Sequence, residues 1–197
     1  MQELIFATSN KNKIIEVQQK FDYENCDIKI SPVKQPFNPD ESGKTFLENS
    51  YIKAFEAAKK MNNLSFGDDT GLCVKALDGR PGIFSARYAN EGESKIEKLL
   101  KEMQEFKTIE EREAYFACAI TLVNPMGEIL FSYESKFDGY IDFSPKGEQG
   151  FGYDPIFKVK GLNKNLAELS LAEKNQISHR ALALAEFIKW LKNNKSL

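Results

Sequence analysis

Apolar and polar positions along the chain fall into short blocks with distinct periods. ELIFAT, residues 3–8, is an apolar run that reads as a buried strand. The polar SNKNK breaks it, and IIEVQQKF then takes up helical spacing, so strand, short loop and helix follow at once, as in α/β nucleotide-binding units. DIKISPV reads as a second strand, ended by the prolines at 32, 36 and 39, and NPDESGK reads as a loop. A helix begins at Thr45. Thr45 and Glu48 form a T-x-x-E capping box, Leu47, Tyr51, Ala54, Phe55 and Ala58 make the buried stripe, and Asn49 and Lys53 share a different face.

SFGDDTGLCVKAL reads as strand, turn, strand, with Asp68 and Asp69 in a turn between glycines. SKIEKLLKEM repeats the helical period through Ile96, Leu99, Leu100 and Met103. AYFACAITLV and EILFSYESKF flank NPMG, a hairpin signal that places an antiparallel section in the sheet. Ser170 and Glu173 make a second capping box, and Ser178 can cap a last helix buried through Ala181, Leu184, Ala185, Ile188 and Leu191. The pattern predicts an α/β fold with a mixed sheet and a terminal helix packed back on it.

Composition narrows the function. The 197 residues suit one large domain or two closely joined lobes, and we treat 1–197 as a single domain. Net charge is −2, which removes the broad basic surface that a nucleic-acid polymer requires but leaves room for a small anion bound by a few lysines. Cys26, Cys73 and Cys118 are odd in number and form no CxxC, so they read as reduced thiols. No run reaches membrane-spanning length and the start has no signal-peptide pattern, so the expected location is the cytoplasm.

Two kinds of loop could carry chemistry. The segment Thr8, Ser9, Asn10, Lys11, Asn12, Lys13 joins the first strand to the first helix, where main-chain N–H groups attract phosphate, although without a P-loop pattern loop lysines are more often simply solvated. Asp40 and Glu41 precede one helix, and Asp68 with Asp69 form a second acidic pair. Four carboxylates in two glycine-flanked segments suit Mg²⁺, but an acidic first turn and a solvent-reaching turn explain them as simply. His179 is the only histidine, and a lone histidine with no serine or cysteine elbow argues against a nucleophilic triad. Gly147, Gly150 and Gly152 surround Phe151, Tyr153 and Asp154, a loop whose backbone could approach a planar ligand beside a stacking ring.

FATSNKNK, TFLENSYIKA, DDTGL, PGIFSARYA, GFGYDPIF and EKNQISHR, running in order from residue 5 to residue 180, resemble the inosine-triphosphate pyrophosphatase family. Ser9 stands where that family often has glycine, Thr70 where it often has serine, and Asp40 where glutamate is frequent. The resemblance implies an elongated mixed α/β fold with two lobes around a central nucleotide-binding cleft, a homodimer, and Mg²⁺-dependent hydrolysis of inosine, deoxyinosine and xanthosine triphosphates to monophosphate and pyrophosphate. It implies that residues 8–13 and Lys53 hold the phosphates, and that Asp69 is proton acceptor and metal ligand. Asp40 or Glu41, with help from Asp68, would complete the metal site. Thr70, Phe151, Gly152, Tyr153, Asp154, Lys174, His179 and Arg180 would hold the nucleoside. Arg180, a donor only, would favour the 6-carbonyl of hypoxanthine over the amine of adenine. Two other readings are a pyrophosphatase for modified pyrimidine triphosphates, as in septum-inhibitor-type relatives, and a nucleotide-binding regulator without turnover. The intact Asp69 and lysine set weigh against the regulator.

Overall fold

The computed structural model describes residues 3–194. Its six-stranded mixed sheet has the order β2-β1-β3-β4-β5-β6. The strands are β1 (Glu3–Phe6), β2 (Lys29–Pro32), β3 (Ser65–Val74), β4 (Glu113–Val123), β5 (Ile129–Ile141) and β6 (Phe157–Val159). The helices are α1 (Lys11–Tyr23), α2 (Phe46–Met61), α3 (Lys95–Glu102), α4 (Leu171–Ile177) and α5 (His179–Asn193). β1 pairs in parallel with β2 and β3, Phe6 lying opposite Pro32 and Phe66, and β5 pairs antiparallel with β6. Among the described residues no helix is long and apolar enough to cross a membrane.

The chain forms two compact units. The first runs up to Asp69, from Cys118 to Ser135 and from His179 onward; the second holds Thr70–Ala117 and Lys136–Ser178. In the first unit Leu4, Phe6, Val17, Phe21, Phe66, Ile120, Leu184 and Phe187 share one core, with Phe6 and Phe66 stacked at 4.6 Å. The second unit has its own core around Leu72, Leu99, Met103, Phe116, Ile156 and Phe157. The NPMG turn joins β4 to β5 as its sequence predicts, closed by the Gly127 N–H donated to the Asn124 carbonyl at 3.0 Å.

Two expectations change. α2 does start after an N-cap Thr45, whose hydroxyl accepts from the Glu48 N–H at 3.1 Å, but the Glu48 carboxylate accepts from the Lys44 N–H. Its buried face is Phe46, Asn49, Ser50, Lys53, Ala54, Ala57 and Ala58, rotated from the expected apolar stripe. Leu47 is exposed, and Tyr51 and Phe55 are half-buried. The polar members tolerate burial because they are paired: Ser50 with the Thr121 hydroxyl at 2.6 Å, Lys53 and Asn49 with Asp69.

The second change is that β3 does not turn at Asp68-Asp69. It is one continuous strand in which both aspartates are buried. Gly67 is there for close approach, not for a bend. A Cβ on it would run into the Ser50 carbonyl and lie 2.9 Å from the Ala54 nitrogen, so glycine lets α2 lie directly on β3.

Candidate active site

Continuous β3 settles how two like charges coexist. Successive residues of a strand face opposite sides of the sheet. Asp68 accordingly meets α1 and α5, while Asp69 meets α2. Asp68 accepts from Lys13 Nζ at 2.8 Å on Oδ1 and from Arg180 Nε at 2.9 Å on Oδ2. Arg180 also donates Nη1 to Glu16 of α1, giving a buried row Glu16, Arg180, Asp68, Lys13 of alternating charge. Burial alone would raise the Asp68 pKa, but Lys13, then Arg180 and Lys53, hold it well below the usual carboxylate range.

On the other face Asp69 Oδ1 accepts from Lys53 Nζ at 2.6 Å and Oδ2 from the Asn49 amide at 3.4 Å. Asn49 Oδ1 accepts from the Gly43 N–H at 2.9 Å, tying the acidic loop to the same helix. Glu41 reaches Lys53 Nζ at 3.5 Å. Burial raises the Asp69 pKa despite the opposing pull of Lys53, so Asp69 is a stronger base than an ordinary aspartate. Burial would lower the pKa of Lys53, yet Asp69, Asp68 and Glu41 together raise it, and it stays charged. Lys13 is lowered, chiefly by burial and further by the neighbouring Lys53 and Arg180, while Asp68 pulls it back up.

The loop of residues 8–13 opens α1 as its sequence predicts. Asn10 caps the helix, accepting from the Asn12 and Lys13 N–H groups at 3.0 and 3.4 Å, and the Thr8 hydroxyl accepts from the Asn10 N–H at 3.1 Å. Ser9, Asn10, Lys11 and Asn12 are exposed at the positive end of a 13-residue helix. His179 and Arg180 are the first residues of α5, and both are buried. The His179 carbonyl accepts from the Ser135 hydroxyl at 2.6 Å.

The remaining expected residues lie in the second unit. Thr70, half-buried, follows Asp69 directly in β3. Asp154 Oδ2 accepts from the Phe151 N–H at 2.8 Å and from Lys174 Nζ at 2.7 Å, both charges being buried. Lys174 Nζ also lies 4.7 Å from the centre of the Phe151 ring. Gly150 at φ +76° passes where a side chain would strike the Asp154 carboxylate, so Gly150, Asp154 and Lys174 fix the loop's shape. Tyr153 is buried, its hydroxyl donated to the Ser85 carbonyl at 3.1 Å, and Gly152 is half-buried beside it.

Glu16 and Asn49 join the site without having been expected there. Glu16 carried a signal, since Glu16, Val17, Lys20 and Phe21 lie on one buried face of α1, and an acid in phase with buried Val17 and Phe21 needs a cation. Asn49 shares a face with Lys53, but the apolar pattern predicts the buried stripe on a different face.

Whether the acidic set suits a divalent ion can be judged from the side chains. Among the described residues no three His, Cys, Asp or Glu groups converge on one point. Glu41 and Asp69 do converge on one ammonium, that of Lys53. Two carboxylates around a single cation are the protein's share of a Mg²⁺ shell completed by waters and phosphate oxygens, so the residues fit the ion. Asp68 has both oxygens taken by Lys13 and Arg180, and Asp40 is exposed.

The Ham1 family model matches residues 4–190, a span that includes the loop, β3 and the start of α5. The chain belongs to the Ham1 family. It is 44% identical over 196 residues to the dITP/XTP pyrophosphatase of Halalkalibacterium halodurans, covering 97% of this chain and 100% of the relative. A solved HAM1 protein from Coxiella burnetii superposes with a TM-score of 0.87 at 35% identity, covering 98% of this chain and all of that one. The Staphylococcus aureus Ham1 protein gives 0.84 at 38% identity, covering 98% and 99%. The mixed α/β fold is therefore the family's.

Proposed function

We propose that this protein hydrolyses non-standard purine nucleoside triphosphates, namely inosine, deoxyinosine and xanthosine triphosphates, to the monophosphate and pyrophosphate. Its relatives carry the name dITP/XTP pyrophosphatase over the full chain. The observation that carries the reading to these residues is Asp69: a buried carboxylate, made more basic by its burial, bonded to Lys53 and within the field of Lys13.

Asp69 takes the proton of the attacking water. Lys13, Lys53 and the positive start of α1, residues 8–13, hold the phosphate chain and offset the charge that develops on it. Glu41 and Asp69 would hold Mg²⁺, which would polarise the phosphoryl group. Asp40 lies in the same loop as Glu41 and Asp68 lies beside Asp69; both support the site from further out. The family resemblance assigns Thr70, Phe151, Gly152, Tyr153, Asp154, Lys174, His179 and Arg180 to the nucleoside, with Phe151 offering a ring for stacking. The enzyme works in the cytoplasm, where its three free thiols stay reduced, and as a homodimer.

Pyrophosphate release from a panel of ITP, dITP, XTP, GTP and ATP with Mg²⁺ tests this. Rapid turnover of the first three and poor turnover of ATP is the expected result. Equal turnover of ATP, or none of any, overturns it.

A further inference from the structure

Two lysines each hold one aspartate of β3, but the pairs differ in what remains once the lysine moves. If Lys13 turns to a phosphate, Asp68 keeps Arg180 on Oδ2 at 2.9 Å. If Lys53 turns to a phosphate, the hydrogen bond that Asp69 keeps among the described residues is the long one from the Asn49 amide at 3.4 Å, with Lys13 acting on it from further away, and the ion pair between Lys53 and Glu41 is broken as well. Asp69 is only 5% exposed, so water cannot stand in for the lost charge. Lys53 is itself buried, at 7% exposure, and an ammonium there cannot move away without a new anion to receive it.

Resting on the metal-assisted reading above, we infer that Lys53 is the resident cation of the divalent-ion site. In the ligand-free protein its ammonium stands between Glu41 and Asp69, where the divalent ion is taken up. The ion then displaces Lys53, and the polyphosphate receives it. Ion and polyphosphate bind as a coupled pair, each weak without the other. The exchange breaks the two ion pairs of Lys53, to Glu41 and to Asp69, and replaces them with the ion's contacts to both carboxylates and an ion pair from Lys53 to the polyphosphate, and no covalent bond changes. Asp68 needs no replacement cation, because Arg180 stays with it, and this asymmetry separates the two adjacent aspartates into one that exchanges its cation and one that does not.

The coupling has a consequence that a simple phosphate-binding lysine lacks. Removing the Lys53 charge should tighten binding of the ion alone, even as it harms use of the triphosphate. Mn²⁺ titrated without nucleotide, with free ion read by electron paramagnetic resonance, compares wild type with Lys53→Met and Lys53→Gln. Each variant is also combined with Asp69→Asn, and circular dichroism checks folding. Both lysine variants are expected to bind Mn²⁺ about tenfold or more tightly than wild type, because a like charge has been removed from the site. Asp69→Asn in the same background should abolish the gain. Unchanged or weaker Mn²⁺ binding in both lysine variants overturns the inference.

Wild type gives a second test that needs no variant. Calorimetry should find that tripolyphosphate in chelator binds about tenfold or more weakly than its Mn²⁺ complex, within the usual range for coupled ligands. Equal affinities overturn the inference. Failure of the enzymatic reading is a separate result, absence of pyrophosphate release by wild type from any nucleotide.

Discussion

Arg180 Nε lies 2.9 Å from Asp68 Oδ2, joining the first turn of α5 to the centre of β3 across 112 residues of sequence. Both side chains are 2% exposed. Removing Arg180 leaves two buried carboxylates, Glu16 and Asp68, one cation short, even though Lys13 stays on Asp68, and loss of a member of a buried pair costs about 3–5 kcal/mol. Arg180→Met is therefore expected to lower unfolding free energy by that amount in urea titration, and Arg180→Met with Asp68→Asn to recover part of the loss. A stability change below about 1 kcal/mol in the single variant would show that the pair does not hold α5 to the strand.

The same pair sets a pH dependence. Asp68 has its pKa lowered in the folded protein, so its contribution to stability is present above the unfolded aspartate value of about 3.9 and is lost as pH falls below it. Asp69 is shifted upward and works with the opposite sign, its protonation favouring the folded state as pH falls. Wild type should lose stability steeply below about pH 4. Asp68→Asn, less stable at neutral pH, should show a flatter acid limb in urea unfolding at pH 7, 4 and 3. Parallel limbs would remove Asp68 as their source.

Gly67→Ala tests whether close packing of α2 on β3 sets the positions of Asp69 and Lys53. The added methyl meets the Ser50 carbonyl, a backbone atom that cannot turn aside. A loss of about 1–3 kcal/mol is expected, with kcat falling more than KM rises because the proton acceptor moves with the strand. Unaltered thermal unfolding and kinetics would mean that α2 has room to shift.

Lys13 separates phosphate grip from architecture. Lys13→Ala is expected to raise KM for ITP at least about tenfold, since one charge-assisted contact is worth about 1.5–3 kcal/mol. Arg180 still neutralises Asp68 in this variant, so the melting temperature should move little. A large drop in melting temperature with normal kinetics of the folded fraction would make Lys13 structural.

Much of this was legible in the chain. The apolar run ahead of SNKNK, the turn at NPMG and the capping box at Ser170 are local signals, and local chemistry satisfies them. The buried face of α2 was not legible, because Asn49, Ser50 and Lys53 become acceptable inside only when Asp69 and Thr121 arrive from other strands. For the same reason DDTG read as a turn. Its glycine and paired charges mimic one, and the cations that let β3 run straight through come from α1, α2 and α5. The base-reading donors expected of Arg180 met a similar fate in part: Nε and Nη1 are directed to Asp68 and Glu16, partners that no spacing within ISHR announces.

We propose Asp69 as the proton acceptor for hydrolysis of an inosine-type triphosphate. Steady-state pyrophosphate release from ITP by wild type and Asp69→Asn, with Mg²⁺ and equal folded fractions by circular dichroism, tests it most directly. The expected result is a loss of about 10²–10⁴-fold or more in kcat, as base and metal-ligand charge disappear together. Retention of more than about a tenth of wild-type turnover, far above what loss of a general base allows, would contradict it.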